Sequence, residues 1–217
     1  LSFGRTKQSM NVNRSKIFIF LIVVSAFFLR IANVNSIPPS LSWDEVSIGY
    51  NAYSILKTGR DEHGRLLPLD AFVAYGDYKP PLSIYATVPF VALFGLNELA
   101  VRLPSVFFGT LTIFLTYFLV SELFKKMENL ALITSGLLAI SPWHLQLSRA
   151  GFEANIALFF IVFGAYLLLR ARRNPKLFAF AFLPYVAAVY TFNSARYFSP
   201  LMIAGLLVFC RKEAIQQ

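Results

Sequence analysis

Long stretches of this 217-residue chain carry no charged side chain, and several approach the length that crosses a lipid bilayer. They cover residues 17–29, 80–97, 103–121, 129–148, 154–169, 177–195 and 197–210. A helix that spans the roughly 30 Å hydrocarbon core needs about 20 mostly apolar residues. The chain is 57% hydrophobic and 14% charged, which leaves too few polar side chains to cover a water-soluble surface. The sequence therefore predicts an all-α membrane protein.

Segment 80–97 decides the predicted topology, because its prolines and Gly95 disfavour a straight spanning helix. Basic residues accumulate in cytoplasmic loops. If 80–97 lies at the outer interface, six spans place twelve basic and three acidic residues in the cytoplasm; if it crosses, most basic clusters fall outside. We therefore expect about six transmembrane helices plus outer-face juxtamembrane helices, with a cytoplasmic N-terminus. The twelve basic residues are Arg5, Lys7, Arg14, Lys16, Lys125, Lys126, Arg170, Arg172, Arg173, Lys176, Arg211 and Lys212, and the three acids are Glu122, Glu128 and Glu213.

This topology divides the chain into five segments. They are a cytoplasmic N-terminus (1–16), a first transmembrane helix (17–37), an outer loop with juxtamembrane helices (38–102), five further transmembrane helices (103–210) and a cytoplasmic end (211–217). The basic start of the first helix also fits a signal peptide, but no small-x-small cleavage site follows it, which favours an uncleaved anchor. Because the chain opens at Leu1 and closes just after an apolar run, we expect a fragment of a longer protein.

Charge and cysteine content exclude two other kinds of site. The net charge of +9 arises from cytoplasmic loop residues and not from one basic face, so no nucleic-acid partner is predicted. Cys210 is the single cysteine, which rules out an intrachain disulfide and a multi-cysteine metal site.

The outer loop carries the first candidate residues, Asp44 and Glu45. Ser40 or Ser42 can cap a short helix through 46–56, which Gly59 would terminate. Three apolar residues of that helix, Val46, Tyr50 and Tyr53, share a face that is expected to dock on the bilayer or on other spans. Spacing alone favours the simpler interpretation that both acids belong to a first helical turn.

Further charged residues come from the outer ends of several segments. Lys79 precedes two prolines, so its backbone is extended, and it is either a snorkelling anchor or a ligand of an anionic lipid head group. His63 with neighbouring acids is a weak metal-site candidate, since a lone loop histidine is usually solvated. Charges at a bilayer edge are costly unless they are paired or functional, so their convergence predicts a site. The others are Arg102, Arg149, Glu153 and Arg196.

The ordered motifs resemble one enzyme family. They are Trp43-Asp44-Glu45, Lys79-Pro80-Pro81-Leu82, the Phe-Gly-Leu-Asn-Glu-Leu-Ala-Val-Arg-Leu-Pro-Ser run of 94–105, Ser148-Arg149 with Glu153, and the Ser-Ala-Arg-Tyr-Phe-Ser-Pro run of 194–200. In order and spacing these motifs resemble the GT-C fold glycosyltransferases of the protein O-mannosyltransferase and aminoarabinose-transferase type (glycosyltransferase family 39 and its bacterial relatives). The resemblance covers roughly residues 15–210 and implies the N-terminal part of a GT-C fold.

The resemblance implies an activity and roles. Such enzymes transfer a sugar from a polyprenyl-phosphate donor to a protein or glycolipid acceptor on the outer side of the membrane, here a bacterial plasma membrane, with inversion. Asp44 matches the catalytic acid, with Glu45 as its neighbour, and Glu153 matches the second acidic position. Lys79 and Arg196 match residues that face the lipid phosphate. The substrate-binding candidates are Lys79, Arg102, Arg149 and Arg196.

One departure from the family concerns a metal. Some relatives carry an acid directly before the lysine and a histidine near the later arginine, and hold a metal there. This chain has Tyr78 and no histidine in 190–196, so no metal ligand is predicted and a divalent cation is left open as a cofactor. A transporter and a non-catalytic membrane scaffold remain alternatives, although charges gathered on one face disfavour a transport pathway.

Overall fold

The computed structural model describes residues 3–125 and 127–215, with side chains for 14–125 and 127–209. The regular secondary structure of this part of the chain is helical apart from one small hairpin, which confirms the predicted all-α membrane fold. The side chains of Arg5, Lys7, Lys126, Arg211, Lys212 and Glu213, counted in the predicted cytoplasmic charge, lie outside the described side chains. The helices are α1 (Phe3–Ile31), α2 (Trp43–Thr58), α3 (Leu82–Phe94), α4 (Glu98–Leu123), α5 (Glu128–Ile140), α6 (Pro142–Arg149), α7 (Glu153–Ala171), α8 (Leu177–Ala181), α9 (Leu183–Val189) and α10 (Ala195–Ile215), and the hairpin pairs β1 (Phe72–Ala74) with β2 (Asp77–Lys79).

Among the described residues, α4 and α7 are each long and apolar enough to cross a membrane. The α5–α6 pair meets the same criterion as one segment, with a 57° bend at Ser141-Pro142. Proline interrupts helical hydrogen bonding, which explains this bend and the α8–α9 break beside Pro184. Helix α3 continues through Pro89 and ends at Gly95, whose φ is 77°. Length and composition therefore support two or three spans, and the predicted number of six stays a prediction.

Helix α4 is the centre of the bundle and packs against α7, α5, α1 and α3. Helices α4 and α7 end side by side, where Arg170 and Arg173 lie 3.7 and 3.3 Å from Glu122. The two helices therefore also begin at the same end of the bundle. Helix α7 is about 28 Å long at 1.5 Å per residue, so its ends are a bilayer core apart. The Glu122 cluster therefore lies at the opposite end of the bundle from Glu153, and the side of the membrane that each end faces stays a prediction.

Helix α2 begins and ends as the sequence indicates. Ser42 accepts a hydrogen bond from the Glu45 N–H, and the Glu45 carboxylate accepts one from the Ser42 N–H, which completes a capping box. Gly59 ends the helix in the left-handed conformation (φ 67°).

The face of α2 that packs within the protein is not the one formed by Val46, Tyr50 and Tyr53, whose docking on the bilayer stays a prediction. Val46 and Tyr50 are 44% and 51% exposed and do not join the core. Instead Ile48, Ala52 and Ile55 pack with Phe72, Ile84 and Val91 of the hairpin and α3. The outer loop thus has its own apolar core, which fixes α2 and the hairpin relative to each other.

Candidate active site

Asp44, Lys79 and Glu153, which are far apart in the sequence, meet at one end of the bundle. The Lys79 Nζ lies 2.5 Å from Asp44 Oδ1 and 3.4 Å from Glu153 Oε1. The Lys79 side chain is only 6% exposed, and that of Glu153 11%, whereas that of Asp44 is 47% exposed. A buried ammonium group therefore joins one buried and one accessible carboxylate.

The β1–β2 hairpin positions Lys79 beside Asp44 and Glu153. Lys79 pairs in register with the fully buried Phe72, so the end of β2 is anchored in the outer-loop core. Beyond Pro80-Pro81, the Leu82 N–H donates to the Tyr190 carbonyl at 2.9 Å. The lysine backbone is thereby held at both ends. Lys79 is consequently an ion-paired residue and not a snorkelling anchor.

Both carboxylates lie in the first turns of helices. Asp44 is the second residue of α2, and Glu153 is the first residue of α7. The N-terminus of a helix carries free N–H groups and partial positive charge, which stabilise ionised carboxylates and other anions. Two helix N-termini and an ammonium group therefore converge on one region, which is suited to binding an anion.

Lys79 remains a cation in this setting. Burial opposes its charge, but the hydrogen bond that Lys79 donates to Asp44 and the negative charge of Glu153 outweigh burial and raise the Lys79 pKa above its ordinary value. The ammonium group is therefore fully protonated at neutral pH.

Glu45 is adjacent to Asp44 but faces a different environment. Its Oε1 accepts hydrogen bonds from Arg102 Nε at 2.8 Å and from the Gly151 N–H at 2.9 Å, and its Oε2 accepts the capping bond from Ser42 at 2.8 Å. The residue is 2% exposed. Burial raises the Glu45 pKa, but these hydrogen bonds and the Arg102 charge reverse that effect and lower it. Glu45 therefore joins three segments and offers little access to a substrate.

Arg102, predicted to bind substrate, is fully buried and uses its guanidinium within the protein. Besides Glu45, it donates to the carbonyl oxygens of Val34 at 2.7 Å, Pro38 at 2.9 Å and Ser40 at 2.8 Å. Arg102 thus fixes the chain between α1 and α2, and the structure gives it the contacts of a positioning residue.

Arg149 and Arg196, the other predicted cations, do not contact the three-residue cluster. The Arg149 guanidinium donates to the Leu29, Ala32 and Ile37 carbonyls at the end of α1. Arg196 is exposed, and its side chain has no hydrogen bond or ion pair within 14–125 and 127–209. Its turn does touch the lysine loop, because Asn193 Nδ2 donates to the Tyr78 carbonyl at 3.0 Å. Arg196 thus lies on a segment beside the cluster and is unpaired there.

Sequence reasoning missed a buried polar network centred on Arg30. Arg30 is fully buried and donates to the Ala26 and Ala139 carbonyls, and its Nη2 lies 2.9 Å from His144 Nδ1. The available signal was an arginine that interrupts the apolar run of the first helix. The network ties α1 to α5 and α6, behind the candidate site.

The described residues contain no group of three or more histidine, cysteine, aspartate or glutamate side chains that could hold a metal. His63, for which the sequence favoured a solvated loop position over a metal site, has its Nε2 2.9 Å from the Val73 carbonyl oxygen. Asp44 and Glu153 are bound to Lys79, so the donor set here is two carboxylates around an ammonium group. These residues do not fit a metal centre.

Comparison with known proteins agrees with this architecture. The family model "Dolichyl-phosphate-mannose-protein mannosyltransferase" matches residues 18–190. "Putative mannosyltransferase YkcB" of Bacillus subtilis (strain 168) is 24% identical over 196 residues, which are 89% of this chain and 26% of that protein. The chain thus spans about a quarter of the length of this relative. Because the family model covers most of the chain and includes Asp44, Lys79 and Glu153, the chain belongs to the dolichyl-phosphate-mannose-protein mannosyltransferase family.

Proposed function

We propose that this protein is a membrane glycosyltransferase that moves a sugar from a polyprenyl-phosphate donor to an acceptor hydroxyl on the outer face of a bacterial plasma membrane. Mannose is the proposed sugar because the family and the relative are both named for mannosyl transfer. The acceptor is a protein or a glycolipid. The single observation that carries the proposal is the contact of Lys79 with both Asp44 and Glu153.

Asp44 has the position of a general base. A hydroxyl group is a poor nucleophile, so a carboxylate must accept its proton as the new bond to the sugar forms. The Asp44 side chain is nearly half exposed, whereas the Glu45 carboxylate accepts three hydrogen bonds from within the protein. Asp44 is therefore the accessible acid of the pair.

Lys79 has the position of a phosphate ligand. The leaving group is a lipid phosphate, whose growing negative charge needs electrostatic stabilisation more than it needs a proton. Phosphate binding would draw the Lys79 ammonium toward the donor, and this would release the Asp44 carboxylate that it holds. Arg196, on the neighbouring segment, would supply a second cation, and the N-termini of α2 and α7 would add partial positive charge.

Transfer with inversion is part of the proposal and is what the family resemblance implies. With the phosphate held by Lys79, attack by a hydroxyl that Asp44 has deprotonated occurs on the opposite face of the sugar, through an oxocarbenium-like transition state. Glu153 would hold Lys79 in place through its 3.4 Å contact while Asp44 is released. We assign Arg102 and Arg149 positioning roles, in place of the direct contacts with substrate that the sequence predicted.

The test is sugar transfer by an Asp44→Asn variant of the full-length protein. Loss of a general base lowers the rate by about 10²–10⁴-fold, so we expect transfer from polyprenyl-phosphate mannose to fall in that range. The protein should still insert into the membrane, because Lys79 keeps its contact with Glu153, and the unfolding temperature is measured beside transfer to exclude loss of folded protein. Asp70→Asn, which changes an exposed acid in the same outer loop, is the control. Transfer by Asp44→Asn at the wild-type rate would refute the proposal.

A further inference from the structure

Trp43 and Tyr75 place two aromatic rings in contact on the surface next to the cluster. Their ring centroids are 5.6 Å apart, and the rings are tilted by 46°. Trp43 is 76% exposed and Tyr75 65% exposed. The protein itself covers neither ring, so both rings are accessible to a ligand.

The position of the pair links it to both members of the Asp44–Lys79 contact. Trp43 directly precedes Asp44 at the start of α2, and neighbouring Cα atoms are only 3.8 Å apart. Tyr75 lies at the tip of the hairpin whose second strand ends at Lys79. The ring contact thus joins the helix that presents the acid to the hairpin that presents the cation.

Tyr75 adopts a backbone conformation that is unfavourable for its residue type. Tyr75 and Gly76 form the two-residue turn between Ala74 and Asp77, with φ values of 53° and 81°. Positive φ at both positions defines a type I′ turn, where the first residue is usually Asn, Asp or Gly. A bulky aromatic residue in this region is strained. Such strain is often retained at ligand-binding sites, where it is part of the function.

We propose that Trp43 and Tyr75 form a platform for the sugar ring of the lipid-linked donor, with Trp43 as the stacking side chain and Tyr75 as its support. This inference rests on the proposed function. When Lys79 holds the donor phosphate, the sugar is bonded directly to that phosphate and would lie at the end of the bundle where α2 begins with Trp43 and Asp44. The C–H face of a pyranose is apolar and carries partial positive charge on its hydrogens, which suits the negative face of an indole ring. The ring contact fixes both side chains in advance and lowers the entropic cost of binding.

The test compares binding of a sugar-bearing lipid, polyprenyl-phosphate mannose, with binding of sugar-free polyprenyl phosphate to the full-length protein in nanodiscs. For Trp43→Ala we expect about a tenfold loss of affinity for the first lipid, in the range given by one good aromatic contact, and none for the second. Trp43→Phe should retain most of the affinity. Trp143→Ala is the matched control, because Trp143 is 81% exposed and has no ring partner in 14–125 and 127–209.

A second variant, Tyr75→Asn, distinguishes a role of Tyr75 in binding from an effect on protein stability. Asn tolerates positive φ, so Tyr75→Asn should leave the unfolding temperature unchanged or higher while affinity for the sugar-bearing lipid falls. Unchanged affinity in this variant would overturn the support role of Tyr75.

Two outcomes for Trp43→Ala would overturn the platform. Equal weakening of both lipids would identify Trp43 as an interfacial membrane anchor, and unchanged affinity for both would show that no sugar stacks there. These failures are distinct from failure of the proposed function, because binding is measured without transfer. An inactive Asp44→Asn protein with an unchanged Trp43→Ala binding ratio refutes the platform alone. An active Asp44→Asn protein refutes the proposed function.

Discussion

Asp44 and Glu45 are neighbours in one helical turn, yet the structure gives them opposite environments. Glu45 is 2% exposed and accepts three hydrogen bonds from within the protein. The Asp44 side chain is 47% exposed and contacts Lys79 alone among the hydrogen bonds described for it. The 100° rotation between successive residues of a helix turns one side chain into the bundle and the other toward the surface.

The two acids therefore have different functions, because Glu45 stabilises the fold and Asp44 is available for chemistry. A buried carboxylate that accepts three internal hydrogen bonds fixes the segments that it joins and is shielded from a substrate proton by burial. A half-exposed carboxylate held by one movable ammonium group can exchange that partner for a ligand. We therefore expect substitutions at the Glu45–Arg102 pair to affect stability, and substitutions at Lys79 to affect substrate binding.

The largest expected effect on stability comes from Arg102→Met. Removing one partner of a buried ion pair typically costs about 3–5 kcal/mol, because the other charge stays buried without compensation. Here Glu45 would lose its cation, and the Val34, Pro38 and Ser40 carbonyls would lose their donor. Denaturant unfolding of the purified protein should show a decrease in this range.

The control for Arg102→Met is Arg65→Met. Arg65 and Asp70 form an exposed pair with side chains that are 41% and 70% accessible, and such pairs contribute at most about 1 kcal/mol. If both substitutions lowered the free energy of unfolding equally, the distinction between a structural and an accessible ion pair would be lost.

A smaller effect is expected for Lys79→Gln on the binding of sugar-free polyprenyl phosphate. A hydrogen bond to a charged group contributes about 1.5–3 kcal/mol, so affinity should fall roughly 10- to 100-fold at equal protein stability. Lys57→Gln, which alters an exposed lysine at the end of α2, should bind normally. Lys79→Gln protein that binds this lipid with wild-type affinity would contradict the phosphate-ligand role.

The smallest effect concerns pH. The Glu45 pKa is lowered on folding, so its contribution to stability is complete above its ordinary pKa of about 4.3 and is lost as the pH falls through the lower folded value. Acid unfolding should therefore steepen below about pH 4 in the wild type and less so in Glu45→Gln. Glu98→Gln, an exposed acid at the start of α4, should resemble the wild type. Identical acid profiles for all three proteins would contradict the assigned environment of Glu45.

Much of the local structure near the site could be predicted from the sequence. Two sequence signals mark the ends of α2, namely the Ser-x-x-Glu spacing of Ser42 and Glu45 and the glycine at Gly59. In the structure the first forms a capping box and the second a left-handed C-cap. The sequence predicted that Asp44, Lys79, Glu153 and Arg196 converge, and the structure joins the first three. Local patterns and family resemblance thus located the cluster.

The roles of the arginines could not be read from the sequence. Arg102 and Arg149 bind main-chain carbonyl groups at distant positions, and carbonyls are present at every residue, so no sequence pattern marks them as partners. The inward face of α2 was missed for a related reason. The periodicity of Val46 and Tyr50 identified an apolar stripe, but the small residue Ala52 and the hairpin decided which stripe packs.

The most direct test of this account is an experimental structure of the full-length protein with bound polyprenyl phosphate. We predict that the lipid phosphate lies about 2.8 Å from Lys79 Nζ, the length of a charge-assisted hydrogen bond, with the Asp44–Lys79 contact opened and the Glu45–Arg102 contact intact. A phosphate bound away from Lys79, with the Asp44–Lys79 pair still closed, would contradict the assignment of this cluster as the reaction centre.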